Sequence, residues 1–341
     1  MTKTNPGRFF EDFTVGDVIR HAAPRTLLGG EKALYHALYP ARHAMHSSED
    51  FSRRCGRHGE FDELIVFHTV FGKTVPDVSL NAVANLGYAE GRFLHPVQPA
   101  DTLRAESEVI GLKQTSSGKT GIVWVRTRGL NGDDVPVLEY VRWVMVRKRD
   151  AGAPAPDPVV PDLRDVVPAS ELVIPDGLRF DDYDFTLAGE PHRLGDYAVG
   201  EVIDHVDGVT VEDAEHMMAT RLWQNTAKVH FDATHRDDGR RLIYGGHIIS
   251  LARALSFNGL ANAQTIVAIN AGSHANPCFA GDTVRAWSEV LDTAPTDAPG
   301  VGAIRLRLVA TRGAAGDLRD GDGKYRPEVL LDLDYWALMP V

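Results

Sequence analysis

The chain has 341 residues, a hydrophobic fraction of 43% and a charged fraction of 24%, which describes an ordinary globular protein long enough for two domains. Its formal net charge of −11 argues against nucleic acid as a partner, so an anionic ligand needs a local basic patch. The opening segment MTKTNPGRFFEDF carries no apolar leader core and no stretch approaches the ~18 apolar residues of a membrane span; with only Cys55 and Cys278, one in each half, the expectation is a cytoplasmic protein with no disulfide and no membrane contact.

In chain order, a short strand-like segment at Asp17–Ala22 leads to a helical pattern at Ala33–Tyr39. A long apolar helix follows at Leu64–Val75, then strand-like runs at Asp101–Ile110, Gly121–Arg128 and Val137–Arg147. Five prolines between Pro154 and Pro168 mark an extended, semi-rigid linker. The same order then returns: a strand at Glu201–Val206, a helix at Ala214–Trp223, a long helix at His247–Ala261, and strands at Asp282–Leu291, Ala303–Ala310 and Val329–Leu338. The second long helix follows Gly245-Gly246 and is apolar on all sides, so it is expected to be buried.

The returning order is a duplication. VGDVIRH at Val15–His21 matches VGEVIDH at Val199–His205, SLNAVAN at Ser79–Asn85 matches SFNGLAN at Ser256–Asn262, and Gly91–Val109 matches Gly272–Val290. A repeat this long denotes two domains, since solenoid repeats are far shorter. The division read from these signals is residues 1–150, a linker at 151–185, and residues 186–341. A central helix wrapped by antiparallel strands is an α+β arrangement.

This order, together with RFLHPVQPADTLRAESEV, resembles the MaoC-like, (R)-specific enoyl-CoA hydratase family. The resemblance implies a double hotdog, two tandem domains each with an antiparallel sheet wrapped around a long helix. The family's hydration motif has an aspartate, an asparagine two residues on and a histidine five on. Within Leu222–Asp232, LWQNTAKVHFD, His230 takes the histidine position, Asn225 the aspartate position and Ala227 the asparagine position, while Lys228 replaces a usual proline. In the first half Ala41 stands opposite Asn225 and His46 opposite His230. The resemblance therefore implies a catalytic second half and a first half that accommodates the acyl thioester. Further segments, among them FEDFTVGDVI, NTAKVHFD and YGGHIISLARALSFNGLAN, resemble members that hydrate mesaconyl-CoA to β-methylmalyl-CoA. No metal or redox cofactor is implied, coenzyme A being part of the substrate, and a homodimer is the expected assembly.

Hydrating an enoyl thioester requires a base for water, an acid for the α-carbon and donors for the enolate-like oxygen. His230 is the candidate acid and base, since imidazole titrates near working pH. Backbone N–H groups at Gly245 and Gly246 are candidate oxyanion donors, because a helix N-terminus leaves donors free and glycine permits close approach. Asn225 is read as the water-positioning group. An aspartate there would face the carboxylate of a dicarboxylic substrate, and like charges at short range resist joint ionisation. Lys228 and Arg221 are candidates to neutralise that carboxylate, with His247, Asp232 and Trp223 as further substrate-binding candidates. Arg142, Arg147, Lys148 and Arg149 are candidates for the phosphates of coenzyme A. Each has a plainer reading: a core histidine, a tight turn, a helix cap, or a solvated surface charge.

Other motifs fail. FGKT at Phe71–Thr74 lacks the glycine a phosphate loop needs, and His43, His46, Cys55 and His58 fit no zinc spacing. No G-x-S-x-G elbow offers a hydrolase nucleophile. A hotdog thioesterase needs a carboxylate near the central helix, and His247–Ala261 contains none. A non-catalytic acyl-CoA-binding protein is the remaining alternative, against which the Asn225–His230 pair stands.

Overall fold

A computed structural model describes residues 3–313 and 316–341. The first half runs β1 (Val18–Arg20), β2 (Arg25–Thr26), α1 (Gly29–Leu38), α2 (Ala44–Ser47), α3 (Glu49–Arg54), α4 (Glu63–Thr74), β3 (Ala82–Phe93), β4 (Thr102–Gln114), β5 (Thr120–Leu130) and β6 (Pro136–Arg147). After α5 (Phe185–Ala188) the second half runs β7 (Val202–Thr210), α6 (Asp213–Leu222), α7 (Lys228–Phe231), α8 (Gly245–Leu255), α9 (Phe257–Leu260), β8 (Thr265–His274), β9 (Thr283–Pro295), β10 (Val301–Arg312) and β11 (Val329–Pro340). Each half is the expected helix wrapped by an antiparallel sheet. Ten of the strands lie in the order β1-β4-β5-β6-β3-β8-β11-β10-β9-β7, with β2 on β4.

The central helices follow from composition. Every residue of α4 from Leu64 to Thr74 is buried, and so is every residue of α8 from Gly246 to Leu255. Burying one large aliphatic side chain contributes roughly 1.5–3 kcal/mol relative to leaving it exposed, so a helix apolar all round is stable only inside a sheet. The Asp62 carboxylate caps α4 by accepting from the Leu64 N–H at 2.8 Å. In the strands, period-two alternation places Leu103, Ala105, Ser107 and Val109 of β4 inward.

Three strands were not expected: the two-residue β2, and the long β3 and β8. β3 and β8 are rich in alanine, glycine and asparagine, and they form the seam between the halves. Tyr88 pairs with Gly272, and Gly91 with Ile269. Gly91 and Gly272 are equivalent in the repeat, which makes Ile269 the equivalent of Tyr88. Each pair is the image of the other under a two-fold, and the duplication folds as a dimer fused into one sheet. The shared core spans both copies, from Phe67 and Phe71 on α4 to Ile248 and Leu255 on α8.

The proline-rich segment is extended and also packed. Val159 bridges to Leu112, and the Val167 carbonyl accepts from Trp336 Nε1 at 3.1 Å. Farther on, Leu178, Phe180 and Tyr183 are buried against Phe51, Cys55 and Leu338. Cys55 and Cys278 are both buried and free. Among the described residues no helix is long and apolar enough to cross a membrane.

Candidate active site

A cavity of about 350 Å³ opens at the junction of the halves. The second half contributes α7, the start of α8 and the end of β8; the first contributes the end of α4, the start of β3, and β6. His230, Asn225, Lys228 and Gly245 line it, so four of the predicted residues come together.

His230 sits on α7 with its Nδ1 hydrogen-bonded to the Leu242 carbonyl at 2.7 Å. A carbonyl only accepts, so Nδ1 carries the proton and Nε2 keeps its lone pair. No described residue bonds Nε2. Burial pushes the His230 pKa down to about 4, against a smaller upward pull from the Leu242 bond. The ring is therefore neutral near pH 7 and its free nitrogen can act as a base. Asn225 is buried, and its Oδ1 accepts from the Ala227 N–H at 3.1 Å, an Asx turn that aims the chain into α7. Its amide NH₂, with no partner among the described residues, is the end left to hold a water. Lys228, the first residue of α7, is exposed at the rim.

At the start of α8 the Gly245 N–H has no backbone partner among the described residues, while the His247 N–H bonds the Tyr244 carbonyl at 2.9 Å. A Cβ on Gly245 would lie 2.3 Å from the His274 ring, so only glycine allows this approach. His216 Nε2 accepts from the Tyr244 N–H at 2.9 Å and so fixes the residue before the helix.

Five predicted residues lie elsewhere. Gly246 does not line the cavity: it is buried behind Tyr244, whose ring a Cβ there would meet at 2.4 Å. His247 faces inward, with Nδ1 3.1 Å from the Tyr39 hydroxyl. Trp223 is a core residue packed on Tyr35 and His68. Asp232 caps the following turn through the Thr234 N–H at 2.9 Å. Arg221, at the C-terminal turn of α6, is exposed and off the cavity wall. In each case the residue type suits a site, but the face it occupies does not.

Of the four residues considered for phosphate binding, Lys148 bonds Gln114 Oε1 at 2.9 Å and Arg149 pairs with Asp12. Arg147 is exposed. Arg142 is fully buried and lines the cavity. Asn85, Tyr88 and His274, which sequence reasoning missed, also line it, and the Tyr88 hydroxyl lies 3.1 Å from His274 Nε2. No Asp or Glu is among the described lining residues.

The two-fold places a second cavity in the first half, and it is chemically different. The Phe61 N–H bonds the Val97 carbonyl just as the Ile243 N–H bonds that of Cys278, each at 2.9 Å. This register sets Glu63 at the position of Gly245. His46, the counterpart of His230, lies 3.3 Å from the Glu63 carboxylate. A carboxylate where enolate charge must develop is opposed to the chemistry, and Val173, Ile174, Pro175, Asp176 and Leu178 of the linker line that cavity as well. His43, His46, Cys55 and His58 do not converge: among the described residues no three His, Cys, Asp or Glu side chains are placed to hold a metal ion.

The FGKT segment has a packing role. A Cβ on Gly72 would lie 1.8 Å from the Trp223 carbonyl, so glycine lets α4 and the end of α6 touch, and Lys73 bonds Gln224.

A family model described as mesaconyl-CoA hydratase matches residues 1–317. The chain is 74% identical over 341 residues to a mesaconyl-CoA hydratase of Cereibacter sphaeroides, covering 99% of each chain. It is 57% identical over 348 residues to a β-methylmalyl-CoA dehydratase of Chloroflexus aurantiacus, covering 99% of this chain and 98% of that one. Among solved structures, one described as a putative MaoC domain protein dehydratase from Chloroflexus aurantiacus superposes with a TM-score of 0.97 at 56% identity, covering 100% of this chain and 99% of the other. A Mycobacterium tuberculosis protein with a double hotdog fold superposes at 0.77 with 24% identity and 98% coverage of both chains, a likeness of fold alone.

Proposed function

The chain belongs to the mesaconyl-CoA hydratase family, and from that premise and the cavity at His230 we propose that it adds water reversibly to mesaconyl-CoA, giving β-methylmalyl-CoA. The observation that carries this reading is the pairing, on one cavity wall, of a neutral imidazole with a free nitrogen and an unpartnered helix N–H at Gly245. His230 Nε2 takes a proton from water while the oxygen bonds to the β-carbon, the carbon that bears the substrate carboxylate. The double-bond electrons move onto the thioester oxygen, which the Gly245 N–H stabilises. The imidazolium then returns a proton to the α-carbon, and the steps reverse for dehydration. Asn225 orients the water without placing a second negative charge beside the substrate carboxylate.

No cofactor is called for beyond the coenzyme A that the substrate carries. A cytoplasmic homodimer is the assembly and location this reading favours. The thioesterase alternative is disfavoured by the lack of any Asp or Glu among the described lining residues.

The test follows the enoyl-thioester absorbance with mesaconyl-CoA and crotonyl-CoA as substrates. Wild type consumes the mesaconyl chromophore without releasing thiol; His230→Ala loses at least ~100-fold in kcat, whereas His46→Ala stays within about 3-fold because its cavity takes no part. Release of free thiol in step with turnover would establish a thioesterase instead.

A further inference from the structure

Arg142 of β6 is fully buried, yet its described polar partners are hydroxyls and no described Asp or Glu pairs with it. Its Nη2 donates to Thr74 Oγ1 at 2.7 Å, and Nη1 and Nη2 each lie 3.4 Å from Ser79 Oγ. Its Nε has no partner, and its guanidinium carbon stands 4.4 Å from the centre of the Phe71 ring. Beside it in the cavity, both side-chain amide atoms of Asn85 are buried and unpartnered.

Two hydroxyls and an aromatic face do not balance a buried positive charge. A guanidinium has five donors in a planar fork suited to a carboxylate, and the bonds above leave part of that fork unused. Its depth excludes the phosphates of coenzyme A, which remain outside with the charged end of the ligand. What reaches Arg142 is the acyl end, in the cavity that holds His230.

We propose that Arg142, with the Asn85 amide beside it, receives the free carboxylate of the acyl group, making the first half the determinant of specificity for dicarboxylic acyl thioesters. This rests on the hydratase reading for its reaction but not for its binding chemistry. Lys228, exposed at the rim, is then not the group that neutralises this carboxylate. Period-two alternation sets Arg142 on the same buried face as Tyr140, Val144 and Val146, where a cation has no structural use for water. Its equivalent in the second half is Tyr335, which pairs with Ile269 as Arg142 pairs with Tyr88.

The experiment uses the full chain as wild type, Arg142→Gln, Arg142→Lys and Lys228→Gln, with kcat/KM measured on mesaconyl-CoA and crotonyl-CoA. The ratio of the two is expected to fall at least ~100-fold in Arg142→Gln and to recover in part in Arg142→Lys. Equal losses on both substrates, or a collapse of the ratio in Lys228→Gln but not in Arg142→Gln, overturn the proposal. Binding of the unreactive succinyl-CoA and butyryl-CoA is measured alongside. Wild type is expected to favour the carboxylated ligand by about 10-fold or more; no preference overturns the assignment even where Arg142→Gln fails to fold. A wild type that prefers succinyl-CoA but hydrates neither enoyl thioester defeats the hydratase reading and leaves the carboxylate site standing.

Discussion

Six histidines sit in surroundings that resist protonation, a seventh, His43, is pushed the same way by burial, and this makes the fold sensitive to acid. Burial pushes the pKa of His68 and His247 to about 3, of His205, His230 and His274 to about 4, and of His216 to about 2. In the unfolded chain each returns to about 6.5. As pH falls through 6.5 the unfolded chain takes up protons that the native state refuses. The stability is therefore fully present above about 6.5 and drains away until the native values are reached. Between pH 7 and 5 each group costs roughly 2 kcal/mol, and six together ~10 kcal/mol, comparable to the whole stability of a typical domain. His46 acts in the opposite sense: burial alone lowers its pKa, but Glu63 and Asp62 outweigh that and raise it. One group offsets only part of six. Urea unfolding followed by circular dichroism at pH 7.5, 6 and 5, with proton uptake measured on unfolding at pH 5, tests this. A steep fall of the midpoint and uptake of at least about six protons per chain are expected, with uptake reduced by about one in His247→Gln. An unchanged midpoint at pH 5, or uptake below two, would refute the reasoning.

Two further predictions concern the wall of the cavity. In Gly245→Ala the new Cβ meets the His274 ring at 2.3 Å, which drives that imidazole off the Tyr88 hydroxyl and into the site. Stability should fall by ~1–3 kcal/mol and kcat by about 100-fold; a variant that keeps wild-type kcat removes Gly245 from the mechanism. Asn225→Asp preserves the acceptor for the Ala227 N–H but adds a charge. Its kcat/KM on mesaconyl-CoA should drop more than on crotonyl-CoA, and parallel losses on the two substrates dispose of the repulsion argument.

The repeat, both central helices and eight of the strands are legible because each rests on local pattern: apolar runs, alternation and proline punctuation. β3 and β8 are not, because Ala82–Phe93 and Thr265–His274 draw on small residues whose strand character comes from pairing with each other across the seam. The site divides in the same way. His230, Asn225 and Gly245 lie in a contiguous motif around α7 and α8. His247 and Trp223 sit beside that motif in sequence but point into the core, and nothing in their spacing reveals the face. Arg142 was read with its neighbours Arg147, Lys148 and Arg149 as one basic cluster. The signal that separates it is alternation: a lone arginine on the buried face of VLEYVRWVMVR.

The seam between β3 and β8 also bears on how such an enzyme could arise. In a true homodimer every substitution is made twice, so an arginine introduced to grip the substrate in one cavity is introduced in the other, where it has nothing to hold. Fusion removes that constraint. Arg142 and Tyr335 can differ, as can Gly245 and Glu63, and one half can abandon turnover while supplying the floor of its sibling's site. Genes for the separate halves, expressed together, would have to find the same seam to restore that single composite cavity.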